Sequence, residues 1–215
     1  MRQKRYKICN VKCLQKFRQA LRAVLAYKKI LKVLEDKIMN IWHDIDTKRI
    51  TPDEFIAVVE IAKGFKKKYE LDKETGLIIL DRILHTSTQY PANYGFIPKT
   101  LSGDGDPLDV MVLSSEALDP LVLVKCYPVG MMVMQDCGKR DEKIIAIPVN
   151  DPLYNEYKDI KSLPKHIADE MINFFRVYKT ESEGITQVEE NPLGVDEAKE
   201  AIIKAKQNYV DVFGK

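Results

Sequence analysis

The sequence predicts an α+β protein in which several short strands form an antiparallel barrel or sheet and helices pack outside it. Short runs rich in β-branched and apolar residues, separated by turns that contain Gly or Pro, fill residues 55–149. Longer stretches with helical spacing follow only near the end of the chain, an order typical of α+β folds. With 215 residues, 45% of them hydrophobic and 31% charged, the chain is large enough for a proper core.

The first 38 residues are predicted to be a basic helical extension that precedes the main domain, residues 39–215. Residues 1–38 contain twelve Lys and Arg and only two acids, a net charge of +10, whereas the remainder carries twenty-two basic and thirty acidic residues. Such asymmetry is typical of an appended segment. From Cys13 to Leu34, apolar residues recur at helical spacing with Lys and Arg between them, which predicts a basic amphipathic helix.

The function of this extension remains open. A basic amphipathic helix could lie on an anionic membrane, contact nucleic acid or act as a targeting presequence. A secretion signal is disfavoured because no apolar segment with a small-residue cleavage site is present, and the Lys-rich, Ser-free composition disfavours an organelle presequence. Alternatively, translation begins at Met39 and the extension is a dispensable or non-native leader.

After Met39 the pattern changes to short strands. The turn sequence from Asp72 to Gly76 separates two β-rich runs and predicts a hairpin. The predicted strands are 55–60, 66–71, 77–84, 110–113, 122–127, 131–134 and 143–149.

Two helices are predicted after the strands. Pro is favoured at the first position of a helix, so Pro164 is expected to begin a helix that ends near Tyr178. The second is expected to run from an N-cap at Asp196 to about Phe213.

An acidic turn precedes the strand at residue 110. Asp104, Asp106 and Asp109 lie within six residues in GDGDPLDV, and like charges this close repel. Such a cluster must be fully solvated, hold a proton or hold a hard cation. Gly105 permits a positive φ and Pro107 fixes its own φ, so the carboxylates are carried on a stiff turn. The turn is therefore a candidate metal site.

Other interpretations of this turn remain open. An acidic turn is often only a solvated loop. An Asp-x-Asp motif from Asp104 to Asp106 could also serve a metal-dependent nucleotidyl or glycosyl transferase, although no Gly-rich phosphate loop accompanies it. An EF-hand is excluded because Asp109 and Ser115 occupy the positions that require Gly and a bidentate Glu.

A second acidic group follows the strand at 131–134. Asp136 and Asp141 lie in QDCGKRDEK, and two acidic turns beside strands can converge at one mouth of a small barrel. Four carboxylates there would suit two or more Mg²⁺ ions, which prefer carboxylate and water oxygens. An anionic substrate would need cations and hydroxyl donors nearby, and the sequence offers Lys68, Arg82, Lys143, Lys179, Tyr90, Tyr94 and Tyr178. The combination favours phosphoryl chemistry.

From Met39 onward the chain resembles the soluble family I inorganic pyrophosphatases. The matching motifs, in order, are VVEIAKG, KYELDKETG, LDRIL, YPANYGFIP, DGDPLDV, VGMM, DCGKRDEK and FFRVYK. The resemblance implies an OB-like five-stranded antiparallel β-barrel with flanking C-terminal helices. It also implies Mg²⁺-dependent hydrolysis of pyrophosphate to two orthophosphates, by in-line attack of a metal-bridging water or hydroxide.

The resemblance also implies a role for each matching residue. The implied metal ligands are Asp104, Asp109, Asp136, Asp141 and Glu60. The implied substrate contacts are Lys68, Arg82, Tyr94, Lys143, Tyr178 and Lys179, with Tyr90 and Glu70 in supporting places. Asp106 matches the residue that orients or deprotonates the attacking water, and Tyr94 is expected to assist catalysis. Cys137 stands where some members have Glu, which leaves the support of the substrate-borne metal open.

The cellular setting and partners are predicted less directly. Four cysteines at positions 9, 13, 126 and 137 do not form a disulfide framework, so a reducing, cytoplasmic setting is expected. No apolar run is long enough for stable membrane insertion. A nucleic-acid-binding barrel is the rival class, but the acidic body of the chain disfavours it. The resemblance makes a homo-oligomer the expected assembly, with a hexamer favoured and a dimer as the alternative.

Overall fold

The computed structural model describes residues 2–35, 39–85, 87–136, 138–179 and 186–214, with side chains of the first range described for residues 13–29. Cys137, singled out above, lies outside the described residues. The chain divides into two compact units, Met1–Met39 and Asn40–Lys215.

The first unit contains helix α1 (Arg2–Glu35), so the helix predicted over residues 13–34 is confirmed and is longer than expected. Its apolar side chains at positions 14, 17, 21, 24 and 25 are exposed. Among the described residues, no helix is both long and apolar enough to cross a bilayer.

The second unit is built on a five-stranded barrel. Its strands, in their order around the barrel, are β1 (Phe55–Ile61), β4 (Asn93–Ile97), β5 (Leu108–Val112), β7 (Lys139–Pro148) and β6 (Leu123–Asp136). Pairing between β1 and β6 closes the barrel, from Phe55 opposite Cys126 to Val58 opposite Leu123. The predicted barrel is therefore confirmed.

Three further strands lie beside the barrel. β8 (Thr186–Val188) extends the sheet along β6. β2 (Lys67–Leu71) and β3 (Ile78–Ile83) form a separate two-stranded sheet, which is the predicted hairpin.

One strand pair corrects the expectation of a wholly antiparallel barrel. β5 and β7 run parallel, with Asp109 opposite Lys143. Parallel neighbours begin at the same end of a sheet. Consequently the acidic turn before β5 and the turn that joins β6 to β7 lie at the same mouth of the barrel.

The strand boundaries differ from the predictions in two places. The expected strands at 122–127 and 131–134 are one strand, β6, which continues through an irregularity between Pro128 and Gly130. β4 was not predicted, because Gly and Asn are poor strand formers and Pro flanks the segment. Gly95 in β4 lies so close to β1 that a Cβ there would stand 1.8 Å from the carbonyl oxygen of Val58. Only Gly fits this approach.

Both predicted C-terminal helices are confirmed, with different N-termini. α2 (Lys165–Val177) has Pro164 as its N-cap rather than as its first residue. α3 (Val195–Phe213) is capped by Gly194, so Asp196 lies in the first turn. A carboxylate there favours the helix through the macrodipole rather than as a cap.

The helices cover two regions of the core. Ala198, Ala201 and Ile202 of α3 belong to a cluster with barrel residues such as Phe55 and Val110. The cluster beneath α2 contains Met171, Phe174, Phe175, Tyr90, Met111 and Ile145. Burial of this apolar surface holds the barrel and the helices together.

Candidate active site

A cavity of about 640 Å³ lies at the barrel mouth where β5 and β7 begin. The predicted metal ligands, substrate contacts and catalytic residues all line it: Glu60, Lys68, Arg82, Tyr94, Asp104, Asp106, Asp109, Asp136, Asp141, Lys143, Tyr178 and Lys179. The structure therefore brings together residues from seven strands, one turn and the end of α2.

The acidic turn forms one wall of this cavity. Gly105 has a φ of +95°, as its position in a tight turn required. The Asp106 amide donates to the Asp104 carboxylate at 3.0 Å, and the Ser102 amide donates to the Asp106 carbonyl at 2.7 Å. These bonds fix the backbone while both carboxylates stay exposed.

The barrel strands carry a compact ionic cluster next to this turn. The Lys143 ammonium donates to Asp109 at 2.7 Å and lies 3.0 Å from an oxygen of Asp141. It also donates to the Tyr94 hydroxyl at 2.9 Å, and that hydroxyl donates to Asp109 at 2.5 Å. The Lys143 side chain is only 4% exposed. A charge this deeply buried is stable only because it is paired on several sides.

The pKa values in the cluster are shifted by burial and by neighbouring charges. Burial alone would lower the pKa of Lys143, but the charges of Asp109 and Asp141 outweigh it and raise that pKa. Burial raises the pKa of Asp141, and repulsion from Asp109 adds to the shift against the attraction of Lys143. Burial likewise raises the pKa of Tyr94, so its hydroxyl stays protonated and can donate a hydrogen bond.

Glu60 occupies the deepest acidic position. It is on β1, 6% exposed, between buried apolar residues. Burial raises its pKa well above the ordinary value, and repulsion from Asp109 adds to the shift. A buried carboxyl beside other acids needs a proton or a cation, so Glu60 is suited to a metal site.

Asp136 and the residues at the end of α2 form another wall of the cavity. Lys179 donates to both carboxylate oxygens of Asp136, at 2.6 and 2.7 Å. Tyr178 is the C-cap of α2, and burial raises its pKa. Tyr90 lies beneath this region, 2% exposed and 4.6 Å from the ring of Phe174, as a core residue rather than a cavity residue.

The hairpin supplies cations, and also an acid that sequence reasoning missed. Asp81 accepts from Lys68 at 3.0 Å and from Arg82 at 2.5 Å, so it holds the two side chains together. Lys68 also pairs with Glu70. Asp81 precedes Arg82 in LDRIL, and successive side chains of a strand ordinarily point to opposite faces. For this reason the sequence pattern did not predict that Asp81 and Arg82 share the cavity.

The donor chemistry fits a hard divalent cation. The cavity wall holds eight carboxylates and five cationic side chains, with no His or Cys among the lining residues. Within the described ranges, no three acidic, His or Cys side chains are grouped closely enough to form a metal centre by themselves. Lys143 and Lys179 instead contact the carboxylates. Oxygen-rich acidic donors are the ligands that Mg²⁺ prefers, so the residues present suit it.

A cavity in which carboxylates face Lys and Arg side chains that can bind phosphate is typical of enzymes that carry out metal-assisted phosphoryl chemistry. Comparison with known proteins agrees. A family model described as inorganic pyrophosphatase matches residues 57–210. The chain belongs to the inorganic pyrophosphatase family, whose members are hydrolases. This confirms the resemblance seen in the sequence.

Individual relatives and a solved structure support this membership. Soluble inorganic pyrophosphatase 2 of Chlamydomonas reinhardtii is 47% identical over 172 residues, 80% of this chain and 89% of that protein. Soluble inorganic pyrophosphatase PPA1 of Solanum tuberosum is 51% identical over 138 residues, 64% of this chain and 65% of that protein. The crystal structure of inorganic pyrophosphatase from Thermus thermophilus aligns with a TM-score of 0.75 at 33% identity, covering 80% of this chain and 99% of that one.

Proposed function

We propose that this chain hydrolyses inorganic pyrophosphate to two orthophosphates, with Mg²⁺ as its cofactor, by in-line attack of water. Membership of the family supports the substrate and the reaction. The observation that carries the proposal furthest is the convergence of two acidic segments with the hairpin cations at one cavity. Because β5 and β7 are parallel, carboxylates separated by more than thirty residues in sequence lie around the same space.

The proposed cation ligands are the acidic side chains Asp104, Asp109, Asp136, Asp141 and Glu60. When bound there, Mg²⁺ would lower the pKa of water and neutralise part of the charge on the phosphate oxygens. The raised pKa values of Asp141 and Glu60 support this assignment, since a nearby cation would offset the burial and the repulsion between acids that raise them.

The proposed substrate contacts are Lys68, Arg82, Tyr94, Lys143, Tyr178 and Lys179. They would neutralise charge on the two phosphoryl groups as it redistributes in the transition state. Tyr94 has a further catalytic role in this proposal. Its hydroxyl stays protonated and would donate a hydrogen bond to a phosphate oxygen or keep Asp109 in place.

Asp106 is proposed to orient the attacking water and accept its proton. Its carboxylate is about half exposed at the cavity wall, so it is accessible to a water molecule. A general base must lie within hydrogen-bond reach of the proton that it accepts.

The domain, assembly and location form the coarser part of the proposal. Residues 39–215 are proposed to be the pyrophosphatase domain and residues 1–38 an accessory extension. We also propose a cytoplasmic homo-oligomer, a hexamer in preference to a dimer, that does not insert stably into membranes or act on nucleic acid. Light scattering on the purified full chain measures the number of subunits.

Phosphate release from pyrophosphate, with Mg²⁺ titrated, tests the function. Release is expected to require Mg²⁺ and to fall when Ca²⁺ competes, because Ca²⁺ is larger and binds with looser geometry. Asp141→Asn should abolish most of the activity. Asp169→Asn removes an exposed carboxylate of α2 and is the matched control, with activity retained. An inactive full chain at every Mg²⁺ concentration would contradict the proposed function.

A further inference from the structure

Lys73 extends from the turn between β2 and β3 to the acidic turn. Its ammonium forms an ion pair with the Asp106 carboxylate and lies 3.3 Å from the carbonyl oxygen of Gly105. One side chain thus contacts the acidic turn at two points. Lys73 lines the site cavity but was not among the residues predicted to act there.

The backbone beneath Lys73 is held in a defined conformation. Asp72 accepts from the Thr75 hydroxyl at 2.5 Å and from the Glu74 amide at 3.2 Å. The Gly76 amide donates to the Asp72 carbonyl at 2.7 Å, and the Gly76 φ of +73° closes the turn. The side chain of Lys73 therefore begins from a fixed point, which reduces the entropy lost when it reaches across to the acidic turn.

The other cavity lysines contact different acids. Lys68 contacts Glu70 and Asp81, Lys143 contacts Asp109 and Asp141, and Lys179 contacts Asp136. Within the described part of the chain, Lys73 is the cation that meets Asp106. Since the Asp106 side chain is 52% exposed, packing alone does not select its rotamer.

We propose that Lys73 is a positioning residue that holds the Asp106 carboxylate in the orientation used to direct the attacking water. The inference rests on the proposed function, because it assigns that role to Asp106. Lys73 acts through Asp106 and also ties the hairpin, which carries Lys68 and Arg82, to the acidic turn. The effect is geometric, since the polar contacts of the Lys73 side chain in the described residues are with Asp106 and the Gly105 carbonyl oxygen and not with the proposed cation ligands.

A double-mutant cycle tests this role at saturating Mg²⁺. Lys73→Ala should lower kcat roughly fivefold with little change in KM, the scale expected for loss of one exposed ion pair. Lys73→Arg should restore most of that loss. In an Asp106→Asn background, Lys73→Ala should have no further effect, because the group that it positions is already disabled. Lys67→Ala, on the same hairpin, is the matched control and should leave kcat unchanged.

Three kinetic outcomes are decisive. Independent, multiplicative losses from Lys73→Ala and Asp106→Asn would overturn the inference. A raised KM with unchanged kcat would also overturn it, because Lys73 would then contact the substrate itself. An inactive unmodified chain would instead refute the proposed function, which separates the two failures.

Hydrogen exchange in the metal-free protein supplies a readout independent of activity. The Ser102 amide bonds to the Asp106 carbonyl, so its exchange reports the order of the acidic turn. Lys73→Ala should accelerate this exchange and Lys67→Ala should not. Equal exchange in all three proteins would show that Lys73 does not hold the turn.

Discussion

Replacing Lys143 by Met removes the cation from the centre of the buried ionic cluster while keeping a similar side-chain length. The Lys143 ammonium contacts Asp109 at 2.7 Å, Asp141 at 3.0 Å and the Tyr94 hydroxyl at 2.9 Å. The variant leaves two carboxylates facing each other without their shared cation. In metal-free protein this repulsion must be relieved by protonation or by a structural rearrangement.

The expected cost is about 3–5 kcal/mol in the free energy of unfolding, the range for removing one partner of a buried ion pair. The upper half of that range is expected, because Lys143 is 4% exposed and has two acidic partners. Loss of the ammonium removes the attraction that holds down the pKa of Asp141, which burial already raises. Asp141 therefore binds a proton more readily as the pH falls, and the cost should be largest at alkaline pH and shrink toward pH 5.

Urea denaturation in the presence of a chelator, followed from pH 5 to pH 8.5, measures this cost. Lys165→Met is the matched control, because Lys165 also pairs with an acid, Asp169, but is 88% exposed. It should change the free energy of unfolding by less than about 1 kcal/mol. A Lys143→Met variant as stable as the unmodified chain at pH 8 would refute the argument that this cluster depends on its cation.

Three other predictions concern the fold and the extension. Gly95→Ala should destabilise the protein by at least about 2 kcal/mol in urea denaturation, because its Cβ would collide with the Val58 carbonyl. Asp151 accepts from the Ser115 amide and hydroxyl at 2.7 and 3.0 Å, and such hydrogen bonds lower its pKa against the effect of burial. Asp151→Asn should therefore cost about 1–3 kcal/mol near neutral pH, a difference lost as the pH falls through the lowered pKa. A chain of residues 39–215 should keep pyrophosphatase activity, because the cavity residues span 60–179.

The controls differ for each of these. Gly103→Ala adds a Cβ in open space and should be tolerated, so equal losses at both glycines would contradict the close-approach argument. A cost for Asp151→Asn that persists unchanged at pH 2.5 would show that the charge is not responsible. Loss of activity in the truncated chain, with its circular dichroism retained, would make the extension part of the enzyme.

Local sequence signals predicted the elements that depend on neighbouring residues. The hairpin follows from the turn chemistry of Asp72 to Gly76, and both C-terminal helices were expected from the start signals Pro164 and Asp196. β4 escaped prediction because the reason for Gly95 lies on another strand. The parallel pairing of β5 with β7 is also a property of distant segments, so alternation along either strand could not reveal it.

The residues of the candidate site also divide into those that the local sequence could predict and those that it could not. The acidic residues stood out because their charge density in GDGDPLDV is locally unfavourable without a partner. The lysines and tyrosines were candidates because an anionic substrate needs cations and hydroxyl donors. Their individual roles came only from the resemblance, since a single Lys or Tyr is ordinarily a surface or core-edge residue. Lys73 and Asp81 escaped because their importance lies in contacts across turns and strands. Their roles, like those of the predicted residues, stay predictions until the variants are measured.

The charged residues around the cavity are carried by two structures of unequal stability. Asp109, Asp141 and Lys143 belong to strands paired on both sides within the closed barrel, whereas Lys68 and Arg82 belong to a two-stranded sheet. A two-stranded sheet has fewer strand pairings to hold it than a closed barrel, so the hairpin is expected to open at a lower free energy than the barrel. We therefore expect the barrel side of the cavity to stay in place while the hairpin side opens, which would give a small anion a route in and its products a route out.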